Sequence, residues 1–113
     1  MKRGEVIDIL LAREEELRTR FAVQSLALFG SAARDEARNT SDVDLLVEFT
    51  RPIGLFHLVG TAQYLEKVLD VDEGKVDLVI RDAVIPELQD IVYGEAVSIF
   101  DAKAVEVPDP SHS

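Results

Sequence analysis

Residues 42–49, Asp-Val-Asp-Leu-Leu-Val-Glu-Phe, constrain this chain more than any other segment. A period of two places Val43, Leu45 and Val47 on one side of a strand and Asp42 and Asp44 on the other. One face is suited to a core, and the opposite face must tolerate two carboxylates. Two such groups roughly 6 Å apart repel by about 3 kcal/mol at an effective dielectric of 20. A divalent cation reverses that sign. Oxygen-only ligands, in a chain with no cysteine and no well-placed histidine, favour magnesium or manganese over zinc.

The rest of the pattern alternates around that strand. Residues 5–20 read as one helix, with Val6, Ile9, Leu10 and Leu17 at helical spacing. Residues 23–29 (VQSLALF) form a short strand ended by Gly30, followed by a short helix over 31–37 and a polar connection over 38–41. Thr50-Arg51-Pro52 ends the next strand, and a longer helix over 53–69 carries Leu55, Leu58, Val59, Ala62, Leu65 and Leu69 as its apolar stripe. A third strand is expected over 75–80, a helix over 84–93 with Pro86 in its first turn, and a closing strand over 97–100. This order predicts an α/β (α+β) domain, a small mixed sheet packed with helices. A single domain is expected over 1–100, followed by a flexible tail over 101–113.

Asp77 lies within Lys75-Val76-Asp77-Leu78-Val79, where a charge is out of place on strand propensity alone. If that strand lies beside residues 42–49, Asp77 completes a three-carboxylate cluster. Such a cluster is able to hold two metal ions, activate a hydroxyl and stabilise a leaving oxygen. Gly30-Ser31 supplies the complementary half, because glycine lets the backbone approach a ligand and a helix start offers free N–H groups. Arg34, one turn on, would add a positive charge near phosphates. The assembled site would bind a metal–nucleoside triphosphate and transfer part of it. The 22 acidic against 12 basic residues, a net charge of −10, disfavour DNA or RNA as a partner. They suit a basic protein instead. No apolar run approaches the length of a membrane span and the start does not read as a signal peptide, so no membrane association and a cytoplasmic location are expected.

Gly30-Ser31, ten residues, then Asp42-Val43-Asp44 and a later single acid on a strand together resemble the nucleotidyltransferase pattern of the DNA polymerase beta superfamily. Within it, "FGSAARDEARNTSDVDLLVEF" is similar to the minimal nucleotidyltransferase (MNT) proteins, and the likeness runs to about Phe100. The resemblance implies the nucleotidyltransferase fold, two magnesium ions (or manganese), and in-line attack on the α-phosphorus of a nucleoside triphosphate with pyrophosphate leaving. Carried over by position, Asp42 and Asp44 would bind both metals, and Asp77 the one that carries the attacking hydroxyl. Gly30 and Ser31 would hold the β- and γ-phosphates. The family further implies an antitoxin of the type VII-like kind, whose partner is a HEPN-domain ribonuclease toxin and which places AMP from ATP on a tyrosine of that toxin. One departure is Asp35, where many relatives have glycine after the arginine matching Arg34.

Plainer roles compete with each assignment. Asp42 and Asp44 suit a solvated strand end, and Asp77 an exposed strand face. Ser31 as a nucleophile has no histidine near it in sequence, so capping or phosphate contact is the better reading. Arg34 also fits an ion pair with Asp35, Glu36 or a partner. Glu48 is read as a surface residue, and His57 as a packed or surface histidine. The alternative function is an antitoxin that neutralises by binding and occlusion, with little or no catalysis. A small-molecule acceptor is disfavoured, since a chain of 113 residues has little room for a second domain to shape that pocket.

Overall fold

The computed structural model describes residues 2–33 and 42–102. Four strands, β1 (Val23–Phe29), β2 (Val43–Phe49), β3 (Val76–Ile80) and β4 (Val97–Phe100), form one sheet in the order β3-β2-β1-β4. β1 pairs antiparallel with β2 and with β4, while β2 and β3 run parallel. A parallel pair needs a long crossover, supplied by the 15-residue helix α4 (Leu55–Leu69). The mixed sheet expected from the residue pattern is therefore present.

Leu26 and Leu28 of β1 and Leu45 and Val47 of β2 form the core face, packed with Val6, Leu10, Leu17, Leu65 and Leu69 from the helices. Fully burying one such leucine contributes about 2 kcal/mol. The expected single helix over 5–20 is instead two, α1 (Arg3–Leu11) and α2 (Glu14–Arg20). Arg13 leaves the helical region at φ −105°, ψ 9°. The break has a local cause: Glu14, Glu15 and Glu16 favour the positive end of a new helix, and Arg18 and Arg20 its last turn. It brings both Leu10 and Leu17 to full burial. Arg18 also donates to the carbonyls of Gln24 and Asp101, fastening α2 to β1 and to the residue after β4.

α4 corrects a second expectation. Of its predicted stripe, Leu65 and Leu69 are buried, Leu58 and Ala62 are half-buried, and Leu55 and Val59 are exposed. Phe56 is 93% exposed. Fifteen helical residues span about 22 Å, whereas a five-residue strand spans about 16 Å, so the first turn of α4 overhangs β3. His57, on the inner side, hydrogen-bonds the Phe21 carbonyl at 2.6 Å and meets Phe49 edge-on.

The final helix begins later than expected. A single 3-10 turn (Arg81–Ala83) follows β3, Val84 and Ile85 are extended, and α5 runs Pro86–Glu95. A residue before proline is pushed out of the helical region, which moves the start from 84 to Pro86. Among the described residues no helix is long and apolar enough to cross a membrane. Most of the expected tail, 103–113, lies outside the described residues.

Candidate active site

Asp44 stands at the meeting of three strands. In the sheet register it lies opposite Phe29 of β1 on one side and Asp77 of β3 on the other. Residues directly opposite in a ladder project to the same face, so Asp44 and Asp77 share the face turned away from Leu45. The predicted adjacency of their two strands is thus realised, with no offset between the two acids.

Gly30 follows Phe29 with φ +71°, a conformation that favours glycine. A Cβ built there would fall 2.5 Å from Asp44 Oδ2 and 3.3 Å from its Cγ. The backbone at the head of α3 (Gly30–Ala33) therefore rests directly on the Asp44 carboxylate. Arg3, on α1, donates to the Ala33 carbonyl at 3.1 Å and ties the other end of α3 to the core. The Ser31 side chain, Arg34 and Asp35 lie outside the described residues.

Asp42 sits one residue before β2 and pairs with Lys75 at 3.8 Å. The Val43 N–H donates to the Lys75 carbonyl at 2.7 Å, fixing the starts of β2 and β3 together. Lys75 is a functional neighbour that the sequence pattern did not single out; its signal was a basic residue two positions before the strand acid. Behind it, the buried carboxylate of Glu66 accepts the Gly74 N–H at 2.8 Å and holds the turn that delivers Lys75. Glu48, expected at the surface, is half-buried and accepts the Ser25 hydroxyl at 3.1 Å.

Burial pushes the Asp44 carboxyl above the ordinary carboxylate range, and the charges of Asp77 and then Asp42 push it further. Among the described residues no three His, Cys, Asp or Glu side chains are gathered closely enough to hold a metal ion. The backbones of Asp44 and Asp77 stand side by side in the ladder. The donor set nevertheless fits a hard divalent cation: all oxygen, two acids in one register, and a glycine that leaves room for the carboxylate.

The raised Asp44 value carries a signed consequence. The native chain holds a proton there more tightly than the unfolded chain does. Its contribution to stability is therefore greatest in acid and declines as pH rises from 3.8 through the raised value. Asp44→Asn is expected to raise Tm near neutral pH by about 3 °C, as roughly 0.5 kcal/mol of relieved, solvent-screened repulsion would. Below pH 4 the variant and the parent should melt together. Thermal unfolding in EDTA at both pH values tests this, and an equal gain at both would assign it to packing.

A separate cleft of about 450 Å³, lined by Glu48, Arg51, Ile53, Ile80 and Asp82 among others, includes none of the three acids; most of its lining follows the C-terminal ends of β2 and β3.

Comparison with known proteins agrees with this fold. Residues 13–99 match the model of the nucleotidyltransferase domain. The chain is 37% identical over 95 residues to protein adenylyltransferase MntA of Thermococcus cleftensis, covering 84% of this chain and 93% of that one. A solved structure provisionally described as a minimal nucleotidyltransferase superposes with a TM-score of 0.66 at 35% identity, over 86% of this chain and 95% of its own. A solved complex of tri-AMPylated Shewanella oneidensis HEPN toxin with MNT antitoxin gives a TM-score of 0.59 at 20% identity, over 85% and 73%. At that identity the likeness is one of fold.

Proposed function

The chain belongs to the nucleotidyltransferase domain family, and from that premise we propose that it transfers AMP from ATP to a tyrosine of a HEPN-domain toxin, acting as the antitoxin of that pair. The observation that carries the reading is the register of Asp44 with Asp77, with the Gly30 backbone resting on Asp44. Similarity to a protein adenylyltransferase supports AMP as the group moved, and the fold shared with a toxin–antitoxin complex supports a protein acceptor.

In this reading Asp42, Asp44 and Asp77 would hold two magnesium ions. Those ions, when bound, would neutralise the triphosphate and favour the ionised acceptor hydroxyl. Asp77, which is exposed, would help take the proton as the tyrosine oxygen bonds the α-phosphorus. The bond to the bridging oxygen breaks and pyrophosphate leaves. Gly30 offers close approach to the β- and γ-phosphates, with Ser31 and Arg34 assigned to the same phosphates. Lys75 pairs with Asp42 and offsets part of its charge.

Labelled ATP, Mg²⁺, the purified chain and the product of the adjacent gene test the proposal by transfer of label to that product. Asp77→Asn is expected to lower the rate by about 100-fold or more while ATP affinity changes less than tenfold. Absence of transfer from the parent chain at any metal concentration would sink it. Occlusion without catalysis predicts instead that an Asp42→Asn/Asp44→Asn double variant still protects cells from the toxin.

A further inference from the structure

α5 is the one α-helix among the described residues with no buried residue. It carries a row of large apolar side chains, Leu88 at 46% and Ile91 at 58% exposure, continued by Ile85 at 55% just before it. These positions recur every three residues and form one stripe. Between Asp82 and Ala102 the chain holds five acids and neither lysine nor arginine, while Arg81 stacks on Tyr93 of α5.

The C-terminal end of α5 adjoins the candidate active site. α5 contacts α3, whose first residue rests on Asp44. Its C-terminal end leads through Ala96 into β4, where Val97 pairs with Leu28, next to the Phe29 that faces Asp44. The exposed Leu55, Phe56 and Val59 on α4 lie instead near the opposite end of β2.

We propose that the Ile85–Leu88–Ile91 stripe is the docking surface for the acceptor protein, which meets it with an apolar ridge rimmed by lysine and arginine. The assignment rests on the protein-acceptor reading above. An acceptor hydroxyl must reach the α-phosphorus, so its carrier has to grip a surface continuous with the carboxylates. Glu87 and Asp90 flank the apolar row and a net charge of −10 surrounds it, so a second copy of this chain is repelled and a basic-rimmed partner is attracted. The apolar centre supplies the area and the acidic rim sets the partner's sign.

The test uses the full chain with the toxin encoded beside it, and measures binding and AMP transfer separately. Leu88→Glu/Ile91→Glu is expected to weaken toxin binding and raise KM for toxin by about 30-fold, leaving KM for ATP unchanged. Glu87→Lys/Asp90→Lys should weaken binding about tenfold at low salt and less at high salt. Phe56→Glu, on the other apolar patch, should bind as the parent does. Parental binding by the Leu88→Glu/Ile91→Glu protein, or loss of binding in Phe56→Glu alone, overturns the proposal. So does a dimer of the parent that the α5 variant dissociates, or exposure of the stripe only after residues 103–113 are deleted. If the toxin binds through α5 but never accepts label, the transfer reading fails and the docking surface stands; transfer indifferent to α5 gives the reverse.

Discussion

Asp44→Asn is expected to reduce AMP transfer by about 1,000-fold or more, equivalent to roughly 4 kcal/mol of transition-state stabilisation. Asparagine keeps the shape of the side chain and removes its charge. Burial and the charges of Asp77 and Asp42 raise the pKa of Asp44, and the Gly30 backbone rests on its carboxylate. Replacing one carboxylate oxygen by an amide nitrogen leaves an NH₂ donor facing a cation. The same change relieves repulsion, so the inactive protein should be folded and slightly more stable. That pairing of outcomes separates a lost ligand from a lost fold. Added Mg²⁺ should raise the Tm of the parent and not of the variant, because a ligand stabilises only the state that binds it. Near-parental transfer by Asp44→Asn at saturating Mg²⁺ would remove Asp44 from the chemistry.

Gly30→Ala is expected to cost about 100-fold in transfer and to lower Tm by about 5 °C or more. Two effects add. The φ of +71° is unfavourable for alanine by about 1 kcal/mol, and the new methyl would sit 2.5 Å from Asp44 Oδ2, about 1 Å inside normal contact. The carboxylate has to move or the strand end has to open. Gly74→Ala isolates the first effect, since Gly74 has φ +84° and nothing within 4 Å of its added Cβ. It should lose similar stability to backbone strain and keep transfer within about twofold. Equal loss of activity in the two variants would mean that strain, and not the contact with Asp44, is what matters at Gly30.

Much of the site was nameable from residue types. Asp44 and Asp77 stand out because a strand rarely carries a charge at its start or middle, and Gly30 because it closes an apolar run before a polar connection. Lys75 and Glu66 did not stand out. A lysine at a strand start and a glutamate in a helix have ordinary solvated roles, and their partners Asp42 and Gly74 are identified only once the α4–β3 turn is built. Arg3 was silent for the same reason, as its partner, the Ala33 carbonyl, is thirty residues away.

By itself the order of apolar and polar residues determined the four strands, the alternation of helices between them, and which side of β2 carries acid. Those features follow from the periods of 2.0 and 3.6, which each segment expresses without its neighbours. Tertiary structure alone decided that Asp44 faces Asp77 in register, that Gly30 lies on Asp44, that residues 5–20 bend at Arg13, and that the start of α4 and the side chains of Ile85, Leu88 and Ile91 stay exposed. Each of these depends on the length of one element against another or on a pairing between distant residues. A local period specifies the face of a segment but neither its partner nor its offset.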